Sequence, residues 1–271
     1  MPIIVNDKYS LRVEYGMMPE KIKNYSINAQ IKTEVDLRLK FPVTYNQGNI
    51  GSCTANALCY NFIYNDTTFV PSRLFLYYNE RMLDKTINQD VGSTLTQGII
   101  ALQKYGVCSD TIWPYITSRY TNKPPTNAYV EGLNHQILEA SRVQQTITSM
   151  KGCLTSGYPF VVGILIYSSF EKVTVTRTGY VSMPDPSKEK ILGGHAVICV
   201  GYNDIKGVWI MKNSWGLNWG DKGHFYLPYN YLLSNKLAGD MWTIRKVETI
   251  SPNKKVMVYK ILEATKYLKQ Y

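Results

Sequence analysis

Histidine is scarce in this chain: three stand in 271 residues, none beside another, and the five cysteines are too widely spread for zinc spacing or a disulfide scaffold. That poverty argues against a bound metal, and nothing in the sequence asks for a cofactor. Free thiols in a chain of this length are compatible with a reducing compartment. No window approaches the roughly 18 apolar residues of a membrane span. The opening MPIIVNDKYSLRV has four apolar residues before Asn, Asp and Lys, too short for the apolar core of a signal peptide. A cytoplasmic or virion-associated protein is the expectation. Acidic residues are outnumbered as well, 20 against 30 Lys and Arg, for a formal net charge of +10. Residues 245–271 hold seven Lys or Arg and two Glu, so half of that excess lies in the tail. The charge suits acidic surfaces without requiring nucleic acid.

What the chain does have is concentrated in two stretches. The first, NQGNIGSCTANAL from Asn46 to Leu58, places a glutamine and a Gly-rich turn before a cysteine that opens an apolar helix. A thiolate is the reactive form of cysteine, and a helix N-terminus supplies a positive field that favours it. Ser52 suits the N-cap, and Ala55, Ala57 and Leu58 are strong helix formers. Gln47 lies across the turn from Cys53, so its amide can swing back beside the Cys53 N–H. Those two donors would face the oxygen of a tetrahedral intermediate. Most lone cysteines in Ala-rich helices are core, and Cys59 fits that description. Cys53 differs because the chain also supplies a base and an orienting group.

Those partners stand in LGGHAVICVGYND and GVWIMKNSWGLNWGDKGHFYLPY, between Leu192 and Tyr229. His195 opens one apolar run after two glycines, and Asn213 closes the next. Neighbouring strands lie about 4.8 Å apart, so the two side chains can bond directly across an antiparallel pair. The Asn213 carbonyl would accept a proton from one ring nitrogen and aim the other at the Cys53 sulfur. Trp215 would cover that bond.

With Gln47, Cys53, His195 and Asn213 in this order and context, followed by the Asn-Ser-Trp-Gly run, residues 35–246 resemble a papain-family cysteine peptidase. GSCTANA, SRLFLYYNERM and YGVCSDTIWPY are more similar to a short-propeptide branch of xylellain-like bacterial enzymes and cathepsin-like proteins of large DNA viruses. The resemblance implies an α+β, two-lobed fold: a helical lobe over about 46–142, an antiparallel β-barrel-like lobe over about 143–246, and the cleft between them. It implies a nucleophile (Cys53), a base (His195), an orienting asparagine (Asn213) and an oxyanion donor (Gln47). Gly92, Ser93, Leu95, Gly194, Ala196 and Trp215 become the candidate substrate-binding residues. Two departures stand out. Ile50 replaces a cysteine that is one half of a common family disulfide, and Thr54 replaces the usual tryptophan. Without the adjacent histidines of a carboxydipeptidase lid, the expected activity is an endopeptidase acting on protein or peptide substrates. A catalytically silent binding protein and a thiol acyltransferase remain as alternatives; the second typically pairs its histidine with Asp rather than Asn.

The rest of the chain is read around that frame. Asp36-Leu37-Arg38 looks like the family's mature start, which makes residues 1–34 a short propeptide or permanent arm, expected to shield the cleft. Helices are predicted over 53–64, from Pro71-Ser72 to Leu83, over 94–105 with Gly106 as the stop, and over 131–145. The residues PFVVGILIY and KVTVTRTGYV read as strands. His135 and His224 are expected to be structural. The tail 247–271 has apolar residues at helical spacing with lysines opposite, a helix that would dock on the body, on a second chain or on an acidic surface.

Overall fold

The computed structural model describes residues 11, 23–26 and 30–248. The predicted helix of the basic extension lies outside them. Apart from two short strands near the N-terminus, the main helices come first and most of the sheet follows, as α+β patterning implies. The helical part holds α1 (Cys53–Asn65), α2 (Arg73–Leu83), α3 (Leu95–Lys104) and α4 (Thr126–Gly132). The strands are β1 (Lys23–Asn24), β2 (Glu34–Asp36), β3 (Ile137–Arg142), β4 (Phe160–Tyr167), β5 (Ile191–Asn203), β6 (Val208–Lys212), β7 (His224–Pro228) and β8 (Ala238–Val247). They form one sheet in the order β1-β3-β8-β4-β5-β6-β7, with β2 added alongside β5. Pairing is antiparallel except between β1 and β3.

β5 is the longest strand and separates two cores. Successive side chains of a strand face opposite sides. Accordingly Ala196, Ile198 and Val200 join α1, α2 and α3 in one cluster, whereas Val197, Cys199 and Tyr202 join Trp209, Phe225 and Phe160 in the other. A strand buried on both faces reads as the continuous apolar run AVICVGY rather than as an alternation. α1 packs on β5 and is buried from Cys53 through Ile63, so the cysteine at its first position is carried to the sheet. Asp36 and Arg38 pair at 2.7 Å, and Arg38 reaches Asp221 at 3.2 Å, tying the start of the body to the turn before β7.

Three local expectations are corrected. The predicted helix over 131–145 is instead the end of α4 followed by β3, whose partner is β8. Ile137 and Ala140 face the core while Leu138 and Glu139 face out, and tertiary pairing overrides the helix propensity of this stretch. After the helical part the sheet resumes at residue 137, before the lobe boundary expected at about 142. The residues KVTVTRTGYV do not form a strand but α6 (Val173–Thr178), following α5 (Ile147–Thr155) in chain order. Thr176 and Thr178 donate their hydroxyls back to the carbonyls of Val173 and Thr174, at 3.1 and 2.7 Å, and Gly179 ends the helix at φ +76°. Ser52 precedes α1, yet its side chain makes no capping bond there. A last helix, α7 (Tyr229–Leu233), precedes β8.

Candidate active site

Each element end delivers one group to the cleft. Cys53 is the first residue of α1, His195 lies near the start of β5, and Asn213 directly follows β6. His195 Nε2 lies 2.8 Å from Asn213 Oδ1, and that oxygen also accepts the Ser214 N–H at 2.8 Å. The Asn213 N–H donates to Gly223 O at 2.8 Å and its carbonyl accepts from the Tyr60 hydroxyl at 3.2 Å, so the residue is fixed from both ends. Trp215 stacks on the imidazole with centroids 4.8 Å apart, and Phe170 and Trp219 meet Trp215 edge-on. This aromatic cover excludes water from the His195–Asn213 bond.

Cys53 and His195 have no exposed surface. Burial is the largest influence on the Cys53 thiol and, with the Glu80 carboxylate adding to it, pushes it up to about 12. The backbone N–H groups of Ala196, Thr54 and Cys53 itself pull the other way. The acidifying field expected of a helix N-terminus is thus present but outweighed by desolvation.

Gln47 is fully buried and held on three sides. Its N–H donates to Ser214 O at 2.8 Å, its Nε2 to Ile50 O at 3.2 Å, and its Oε1 accepts from Ser214 Oγ at 2.7 Å. The Ser52 hydroxyl meets the Tyr115 hydroxyl at 2.5 Å, which explains the absent cap. Asp90 accepts the Gly51 N–H at 3.0 Å and also bonds Tyr77, joining the 90–93 segment to the turn before Cys53.

The candidate substrate positions divide. Ala196 contributes its N–H to the sulfur, and Gly194 is partly exposed beside His195. Gly92 takes φ +68°, but the Ser93 hydroxyl donates to Asp84 at 2.8 Å and Leu95 is wholly buried in the helical core. A feature absent from the sequence reading is Leu11, whose N–H donates to Gly194 O at 3.1 Å. A β-carbon at Gly194 would stand 2.6 Å from Leu11 O, and one at Gly163 2.6 Å from Leu11 Cδ2, so two glycines admit this close approach. A cavity of about 110 Å³ adjoins them, lined by Ile164, Leu165, Leu237 and Ala238 among others. The other two histidines are structural: His135 stacks on Phe69 at 3.8 Å, and His224 is held by the Asp221 carbonyl at 3.1 Å. Among the described residues no three His, Cys, Asp or Glu gather as a metal site would require.

A buried Cys–His–Asn constellation between a helical lobe and an antiparallel sheet defines a papain-like cysteine peptidase. The sequence pattern of papain family cysteine proteases matches residues 31–238, and the chain belongs to that family. An uncharacterised peptidase C1-like protein of Acanthamoeba polyphaga mimivirus is 40% identical over 250 residues, covering 83% of this chain and 80% of that protein. Xylellain, a cysteine protease from Xylella fastidiosa, superposes with a TM-score of 0.81 at 34% identity, over 91% of this chain and 98% of its own. Procathepsin B from Trypanosoma congolense shares the fold, with a TM-score of 0.67 at 16% identity over 90% of this chain and 88% of its own. The chain is a peptide hydrolase. Among the described residues no helix is long and apolar enough to cross a membrane.

Sequence reasoning misses the roles of Ser214 and Tyr115, although both lie in runs that carry the resemblance, and it misses Leu11 and Gly163, whose meeting is set by tertiary contact alone.

Proposed function

We propose that the protein is a cysteine endopeptidase that cleaves through a thioester acyl-enzyme on Cys53. With Nε2 engaged by Asn213, the proton of the thiol passes to Nδ1 of His195. This exchange replaces a lone buried thiolate by an ion pair and offsets the desolvation that holds the thiol at high pKa. The thiolate attacks a peptide carbonyl, whose oxygen is held by Gln47 Nε2 and the Cys53 N–H. His195 protonates the leaving amine, and water then hydrolyses the thioester. The 2.8 Å His195–Asn213 bond beside a cysteine at a helix start carries this reading.

The N-terminal arm acts as a cover. Its Leu11 backbone takes the Gly194 carbonyl next to the base, and Cys53 and His195 have no exposed surface. The arm then slows access to Cys53, and a variant starting near Val35 is expected to hydrolyse substrate faster than the full chain. The substrates are proteins or peptides, the setting is cytoplasmic or virion-associated, and the basic tail contacts an acidic surface or a second chain.

The test is hydrolysis of a fluorogenic peptide library together with labelling by a thiol-alkylating epoxide. Both are expected in the wild type and neither in Cys53→Ala. A wild type that neither cleaves nor labels would be a silent binding protein, and amine incorporation without hydrolysis would make it an acyltransferase.

A further inference from the structure

The turn from Gln47 to Ser52 carries the oxyanion donors at its two ends, Gln47 itself and the Cys53 N–H just beyond it. In this chain the turn has Ile50 where the family pattern has a disulfide cysteine, and Cys53 and Cys59, the nearest cysteines, are free. A single side chain bridges its ends instead. The Tyr115 hydroxyl donates to Gln47 O at 2.9 Å and lies 2.5 Å from Ser52 Oγ. Because a phenol has one proton and the carbonyl can only accept, Ser52 must be the donor to Tyr115.

That assignment sets the direction of a longer chain. Asn56 Nδ2 donates to Ser52 Oγ at 3.0 Å and to Ser52 O at 2.9 Å, while Asn56 Oδ1 accepts from Arg73 Nη1 at 2.9 Å. Arg73 also donates to Asn46 O at 3.2 Å and places its guanidinium 3.7 Å over the Tyr115 ring. Every bond runs the same way, from the cation through Asn56, Ser52 and Tyr115 to the Gln47 carbonyl, an arrangement in which successive bonds polarise one another.

We propose that Tyr115 is a positioning residue for the oxyanion hole: its hydroxyl clasps the two ends of the 47–52 turn and thereby fixes the separation of Gln47 Nε2 and the Cys53 N–H. Tyr115 touches no reacting atom. This rests on the reading of the site as a peptidase.

The experiment compares full-length wild type, Tyr115→Phe, Ser52→Ala, Gln47→Ala and Tyr115→Phe/Gln47→Ala. Three readouts are taken: kcat and KM on a fluorogenic peptide, alkylation of Cys53 by iodoacetamide, and thermal unfolding. Displacement at the carbon of iodoacetamide creates no oxyanion, so it reports thiolate and base but not the clasp. Tyr115→Phe is expected to lower kcat about five- to tenfold, the effect of one neutral hydrogen bond, with KM and the alkylation rate within twofold of wild type. Ser52→Ala is expected to lower kcat in the same way. In the Gln47→Ala background the Phe substitution is expected to change kcat by less than twofold. Unchanged kcat in Tyr115→Phe overturns the inference, as does a parallel loss of alkylation, or a full loss that persists without Gln47. Absence of hydrolysis by the wild type would instead remove the peptidase reading itself.

Discussion

Ser214 Oγ donates to Gln47 Oε1 across 2.7 Å, joining two residues 167 positions apart in the chain. The Ile50 carbonyl, which can only accept, fixes which end of the Gln47 amide is nitrogen, at 3.2 Å, and the Ser214 hydroxyl then holds the oxygen end in place. Loss of Gln47 should cost about 2.7–4 kcal/mol of transition-state stabilisation, a fall in kcat of about 10²–10³, if it acts as other single oxyanion donors do. Ser214→Ala should lower kcat by about tenfold at nearly constant KM, because the amide loses its orientation and not its donor. Steady-state kinetics check both, and a Ser214→Ala enzyme with wild-type kcat would contradict the orienting role.

Asn213 holds one ring nitrogen of His195, so its loss frees the imidazole to rotate and to change tautomer. A hydrogen bond to a group that becomes charged contributes about 1.5–3 kcal/mol, which places Asn213→Ala about 10- to 100-fold below wild type in kcat. Cys53 alkylation should slow as well, in contrast to Tyr115→Phe, since the base itself is misaligned. Rates of iodoacetamide capture measured side by side decide this.

His224 is a test of pH dependence away from the cleft. Burial first, and the Lys212 charge second, lower its pKa to about 4 from the ordinary 6.5. Between those values the unfolded chain binds a proton that the folded chain does not, so this residue makes stability fall as pH drops from about 6.5 to 4 and contributes no further loss below. The integrated effect is about 3 kcal/mol. Unfolding free energies of wild type and His224→Gln, compared across pH 4–7, should converge toward the acid end by an amount of that order. Parallel curves would show that His224 does not titrate as its surroundings dictate.

Leu11 gives the arm its handle. Leu11→Asp places a charge where the buried Leu11 side chain meets Gly163 and should raise the rate at which the full-length protein cleaves a small peptide. A variant with no gain in initial rate would argue that this contact does not limit access to Cys53.

How far the sequence reached can be judged residue by residue. The His195–Asn213 bond and Cys53 at the first position of α1 were legible because each lies in a local run with its own signal: a glycine turn before a helix, glycines before a strand, and a strand end. α1, α2 and α3 were readable for the same reason, α1 from its helix-forming residues and α2 and α3 also from the caps Ser72 and Thr94, all of which involve only near neighbours. β3 was not, since ILEASR carries helix formers and becomes a strand only because β8 lies beside it. α6 was not, because VTVTRT is β-branched and its helix is satisfied by threonine hydroxyls turned back on its own carbonyls. The role of Tyr115 required Gln47 and Ser52 to be brought within reach of one phenol, 68 and 63 positions distant.

The same β5 that presents His195 is also zipped to β2, with Val35 opposite Tyr202, and the Tyr202 hydroxyl holds Lys32 O at 2.6 Å. Residues 30–34 are exposed just ahead of that pairing. A cut there would leave the Val35 pairing closed, so the strand that carries His195 would keep its neighbour whatever becomes of the residues before it.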